Sequence, residues 1–193
     1  MKKLKWFALL LIAGGAVFLG LGAWNIAETK VKTEQSLSKA EAVVKEKKDD
    51  WVDEEQDNRF VPPTGESVGI LEIPKIEGTL PIVEGTDPDD LEKGVGHFKG
   101  SYYPNENGQI VLSGHRDTVF RRAGELELGD ELRVVLPYGS FSYEITSTKI
   151  VEADDQTIIT LDNTNEELVL TTCYPFSYVG NAPQRYIIFA KKV

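Results

Sequence analysis

The sequence predicts an all-β domain: a closed or nearly closed barrel of about eight short strands with short helices, preceded by one N-terminal transmembrane helix. Three features carry that prediction. Residues 6–27 hold no charged side chain. From residue 66 onward, apolar runs of four to six residues alternate with clusters of Gly, Pro, Asn and Asp, the spacing of a many-stranded sheet that closes on itself. Within that stretch only residues 87–93 and 120–123 suit a helix, and both are short.

Residues 6–27 measure roughly 33 Å as a helix, enough to cross a hydrocarbon core. Lys2, Lys3 and Lys5 precede the run. By the positive-inside rule they hold residues 1–5 in the cytoplasm as a short tail and place the rest of the chain outside. Trp6 and Trp24 stand near the two ends, where interfacial aromatics belong. The alternative, a cleaved leader, would have a shorter apolar region and a small-x-small cleavage site. Residues 28–62 are rich in Lys and Glu, with Val31, Leu37, Ala40, Val43 and Val44 at loose helical spacing. They read as a solvated stalk or linker, with an arm packed on the following domain as the second reading. Pro62-Pro63 marks the start of that domain, residues 63–193.

The strands follow in order. Residues 68–73 alternate as a strand, and residues 80–83 form a second, expected at an edge because Pro81 donates no ladder hydrogen bond. Residues 94–98, Gly-Val-Gly-His-Phe, read as a loop. Residues 109–112 and 131–136 are the next strands. Pro137-Tyr138-Gly139 turns the chain into residues 141–145, a strand that runs on towards Val151. Residues 167–172 and 186–190 complete the set.

The formal net charge is −10. Residues 1–60 carry ten Lys/Arg and ten Asp/Glu, whereas residues 61–193 carry eleven and twenty-one, so the excess belongs to the domain. An acidic body of this kind argues against a nucleic-acid partner.

Cys173 is the only cysteine, so no intrachain disulfide forms, and an unpaired thiol in an exported chain points to reactivity. A buried small hydrophobe is the plainer reading. However, Cys173 ends an apolar run and precedes Tyr174-Pro175, where proline stops ladder pairing, so it belongs at a strand terminus reachable by a substrate. His115 also follows an apolar strand, after Gly114, and suits the proton-transfer partner that a thiol nucleophile needs. His97, the other histidine, reads as one that hydrogen-bonds backbone. Arg185 opens the last strand, twelve residues after Cys173. Two antiparallel strands joined by residues 174–184 would put Cys173 and Arg185 side by side.

These residues carry a resemblance. Residues 113–117, Ser-Gly-His-Arg-Asp, and residues 170–176, Leu-Thr-Thr-Cys-Tyr-Pro-Phe, in the order His, Cys, Arg, are similar to the sortase family of cysteine transpeptidases. Residues 169–173, Val-Leu-Thr-Thr-Cys, match its Thr-Leu-x-Thr-Cys signature, with Val169 in place of the first threonine. Tyr-Pro-Phe after the cysteine and the lack of a long lid before the barrel resemble class D. The resemblance implies an eight-stranded sortase barrel over about residues 66–193. It implies Cys173 as nucleophile, His115 as proton donor and Arg185 as the electrostatic partner of the tetrahedral intermediate. It further implies that Thr172 and Tyr174 meet the substrate, a surface protein with a C-terminal Leu-Pro-x-Thr-Gly-like sorting signal. The acceptor would be an amine of a peptidoglycan precursor or a pilin. Asp117, two residues from His115, either orients the imidazole or caps its own turn.

Three rivals remain in view. A papain-like peptidase would place its cysteine before its histidine, and here the order is reversed. An L,D-transpeptidase would carry His and Arg beside the thiol, and residues 166–178 contain neither. A non-enzymatic surface β-module would have no use for a free thiol. No cofactor is expected. Asp87, Asp89, Asp90 and Glu92, and Asp154 with Asp155, could suggest calcium, but they lack EF-hand spacing and read as solvated turns.

Overall fold

The structure is a computed structural model that describes residues 2–46, 51–53, 59–161, 164–177 and 180–193. Residues 47–50 and 54–58 of the expected linker lie outside the described residues. A single helix, α1, runs from Lys2 to Lys45. Its apolar half is exposed all round, with Trp6, Leu10, Phe18 and Trp24 each at least 70% exposed. A helix with no covered face has the surface of one that lipid must cover. It is long and apolar enough to cross a membrane.

The charged half of α1 does not stand free. It packs along the barrel, burying Ser36 and Ala40. Ser36 Oγ lies 3.0 Å from Ser67 Oγ, and Lys32 Nζ donates to Glu92 Oε2 at 2.7 Å. Lys32 also pairs with Glu28 at 3.0 Å, and Lys30 with Glu34 at 3.8 Å, along the helix itself. A two-stranded ribbon, β1 (Val52–Asp53) with β2 (Arg59–Phe60), follows. It presents Phe60 to the barrel end, edge-on to Tyr103 and Tyr138.

Eight strands close the barrel: β3 (Ser67–Ile73), β4 (Gly78–Glu84), β5 (Val95–His97), β6 (Gln109–Gly114), β7 (Glu131–Leu136), β8 (Gly139–Glu152), β9 (Glu167–Tyr174) and β10 (Gln184–Lys192). Their order around the barrel is β10-β8-β7-β3-β4-β5-β6-β9. All pairs are antiparallel except β4 with β5 and β6 with β9. The short helix α2 (Pro88–Leu91) links β4 to β5, and a 3₁₀ turn over Ala123–Glu125 precedes β7. The interior is filled by one apolar cluster including Leu71, Ile82, Ile110, Leu112, Leu132, Tyr143, Leu168 and Ile188. Because side chains alternate across a strand, the other face of β6, β8, β9 and β10 carries a second cluster. Val111, Val151, Val169 and Ile187 sit there under Ile158.

Two expectations need correction. The strand containing Pro81 is not at an edge, since β4 has neighbours on both sides. Pro81 pairs with Ile70 of β3, while pairing to β5 begins only at Ile82, so the missing N–H faces no ladder. Residues 95–97 form a strand rather than a loop. Gly94 and Gly96 are there for close approach: a Cβ on either would lie 2.4 Å from a backbone carbonyl, of Pro81 and Gly85 respectively.

Candidate active site

β9 and β10 decide the geometry. Their register pairs Cys173 directly with Arg185, so both side chains project from the same face at one rim of the barrel. β6 runs parallel to β9 on its other side, with Gly114 opposite Thr172. His115 is the next residue along, just past the paired segment, as Cys173 is the next residue after Thr172. The cysteine is half-buried and the histidine exposed. Three residues far apart in the chain thus converge on one open edge.

The face they share continues into a groove. Ser113, Thr171 and Arg185 line it, above a floor of Val111, Val169 and Ile187, and residues 153–161 form its wall. Its volume is about 570 Å³, enough for several residues of an extended peptide. The Arg185 Nη1 group donates to the carbonyls of Gln184 and Ala182 at 3.0 and 3.2 Å. That fixes the guanidinium over the groove while Nη2 and Nε still point hydrogens elsewhere, because arginine carries five donors.

Thr172 faces the other way. It is buried, and its hydroxyl donates to the Gly114 carbonyl at 2.7 Å. It ties the cysteine strand to the histidine strand, and the groove side belongs to Thr171. Tyr174 also lies off the groove face, in an aromatic cluster with Phe176 and Tyr186 at centroid separations of 5.7 and 6.1 Å.

Asp117 is exposed, with Oδ1 3.5 Å from Arg116 Nε. Arg116 itself is buried, and sequence reasoning assigned it no role. Its Nη1 donates to the Pro175 carbonyl at 3.0 Å and its Nη2 to the Gly180 carbonyl at 2.8 Å. It thus clamps the loop after Cys173 to the loop after His115. The available signal was adjacency: an arginine next to the histidine in a turn with apolar flanks. Gly114 also has a clear purpose, because a Cβ there would meet Phe120 at 2.6 Å and Val119 at 2.7 Å. The Phe120 amide reaches back to the His115 carbonyl at 3.1 Å, so residues 115–120 fold tightly onto the strand end.

His97 stands apart, fully buried. Nδ1 lies 2.7 Å from Glu84 Oε2, and Nε2 lies 3.0 Å from both Ser101 Oγ and the Tyr102 carbonyl. Tyr103 donates to the same Glu84 oxygen at 2.6 Å and stacks on the imidazole. This network joins β4, β5 and the following loop inside the fold. Three of the carboxylates that could suggest calcium have protein partners: Asp90 with Lys93, Glu92 with Lys32, and Asp155 with Thr157. Among the described residues no three His, Cys, Asp or Glu side chains converge on one point.

A sortase domain model matches residues 71–193. The chain belongs to the sortase family. Over its full length it is 59% identical to sortase D of Bacillus subtilis (strain 168), and the match spans the whole of that protein. The catalytic domain of sortase D from Bacillus anthracis is 44% identical, with a TM-score of 0.58 over 68% of this chain and 90% of that one. A sortase D5 transpeptidase of Clostridium perfringens, at 24% identity, shares the fold with a TM-score of 0.72 over 84% of this chain and 99% of that one. This sortase is accordingly a cysteine transpeptidase.

Proposed function

We propose that this sortase cleaves a Leu-Pro-x-Thr-Gly-like signal near the C-terminus of exported proteins, after the threonine, and passes the acyl group to an amine. The signal lies along the groove over Val111, Val169 and Ile187, with its threonine carbonyl at Cys173. The Cys173 thiolate attacks that carbonyl carbon. The oxyanion so formed is met by Arg185, which lines the groove, keeps donors beyond those bonded to Gln184 and Ala182, and carries a charge that does not titrate away. His115 gives a proton to the departing amine as the C–N bond breaks, leaving a thioester on Cys173. An incoming amine then attacks the thioester, His115 takes its proton, and the thiolate is released. Lys2, Lys3 and Lys5 orient α1 with its N-terminus in the cytoplasm, so the reaction occurs outside the cell membrane. The acceptor is an amine of a peptidoglycan precursor or a pilin.

One observation carries the reading: the Cys173–Arg185 register pair with His115 alongside, at the mouth of an apolar groove. The test is intact mass spectrometry of the protein incubated with sorting peptides and a panel of amines. A thioester mass on Cys173 that disappears when an amine is added, with the amide product formed, is expected. Cleavage that persists in Cys173→Ala would sink the proposal.

A further inference from the structure

We infer that the barrel lies against the bilayer surface, with phospholipid headgroups filling the groove between α1 and the loop that follows His115. The inference rests on reading residues 6–27 as the spanning segment and goes beyond the proposed reaction. Helix α1 is uninterrupted from Lys2 to Lys45, so the direction in which the chain leaves the membrane is also the direction along which the barrel is fixed. The contacts begin at once. Ile26, in the last turn of the apolar run, lines one groove with Thr29, Lys30, Thr118, Val119 and Arg121. Lys32 and Thr33 then reach Glu92, and Ser36 reaches Ser67. At 1.5 Å per residue, Thr33 stands only about 9 Å beyond Ala27, and Ala40 about 20 Å. The loop after His115 therefore sits at headgroup level.

The groove has the chemistry of that layer. It is about 670 Å³ and mainly apolar, with Lys30 and Arg121 as cations at its margin and exposed to solvent. The carboxylate at its edge, Asp117, lies against Arg116. Net charge cannot hold the domain there, because residues 61–193 carry the whole negative excess and anionic lipid repels it. The packing of α1 on β3 does so instead, and the two cations face the phosphates. As a consequence the Cys173 rim opens close to the membrane, which favours substrates and acceptors tethered to the same surface.

Fluorescence quenching in lipid nanodiscs tests this. The full chain is prepared as Cys173→Ser, so each added thiol is the only one, and the outcome is independent of catalysis. Thr118→Cys, Asn165→Cys and Val17→Cys, each labelled with bimane, report the His115 loop, the far end of the barrel and the helix. Discs of phosphatidylcholine carry nitroxide on the headgroup or on the acyl chain. Acyl-chain nitroxide should quench position 17, and headgroup nitroxide should quench position 118 several-fold more than position 165. Adding Ser36→Trp, which wedges α1 off β3, should bring position 118 down to the level of position 165 while the barrel melts as before. Strong quenching at 17 with equal, weak quenching at 118 and 165 would show an anchored but free-standing barrel and overturn the inference. No quenching at 17 would overturn the spanning reading on which it rests.

Discussion

At the residue scale, the two loops around the thiol depend on one side chain. Arg116 is buried and donates to two carbonyls of the loop after Cys173. Hydrogen bonds from a charged donor contribute about 1.5–3 kcal/mol each. Arg116→Ala should therefore lower stability in a urea melt by roughly 3–6 kcal/mol and depress kcat/KM. Arg116→Lys, with no planar fork, should recover little of either, and full recovery by lysine would refute the clamp. Asp117 contacts Arg116 on the surface, so Asp117→Asn should change kcat/KM less than about tenfold. A true triad member would cost far more, on the order of 10⁴. Glu84 and His97 are both buried. Removing one strips a buried partner from the other, which costs on the order of 3 kcal/mol. Glu84→Ala should thus melt early, yet the protein that remains folded should turn over substrate normally.

At the element scale, β9 is the element that assembles the site. It borders β6 on one side and β10 on the other, so His115 and Arg185 flank Cys173 because of strand order. Gly114 protects that order at its weakest point. Gly114→Ala should force Phe120 and Val119 outward, costing about 1–3 kcal/mol, and should reduce acylation by displacing His115. The docking of α1 has its own pH signature. The Lys32 ammonium holds Glu92 below the usual carboxylate range, and the His115 imidazole adds a smaller effect in the same direction. Glu92 and Glu28 in turn raise Lys32. The Glu92 contribution is complete above the ordinary carboxylate value of about 4.3 and is lost as pH falls through the lowered folded value. The Lys32 contribution is complete below about 10.4 and is lost only as pH rises beyond it. Spin-label distances between α1 and β3 should therefore stay constant from about pH 5 to 10 and lengthen below about pH 4. Glu92→Gln should abolish the acid limb.

At the scale of the whole molecule, catalysis requires two groups in opposite protonation states, a thiolate to attack and an imidazolium to donate. The kcat/KM profile should be bell-shaped. A flat response across neutral pH would show that neither group limits the rate. The acidic body and the apolar helix also divide the labour of localisation. The helix binds lipid through exposed apolar surface on every side, while the domain's negative charge keeps it soluble and discourages contact with anionic polymers. The two are joined by the charged half of that helix, which packs on the barrel.

Much of this was legible in the chain itself. Alternation and turn residues identified seven of the barrel strands, and the motifs around His115 and Cys173 with Arg185 downstream named the chemistry. Those signals are local: periodicity, a proline after a strand, a lone thiol. Four features were not local. β5 hides because Gly96 within it and Gly94 before it are dictated by neighbouring carbonyls. Arg116 reads as a surface cation until the loop after Cys173 closes over it. Thr172 shows no sign of its bond to the Gly114 carbonyl until β9 lies beside β6. The charged half of α1 looks solvated until β3 supplies a partner for Ser36 and Ala40. The sequence by itself determined the family and the reactive side chains the chain has to offer, because those are written in local motifs. Only the tertiary structure decided which face each one shows, because that depends on the strand laid against it.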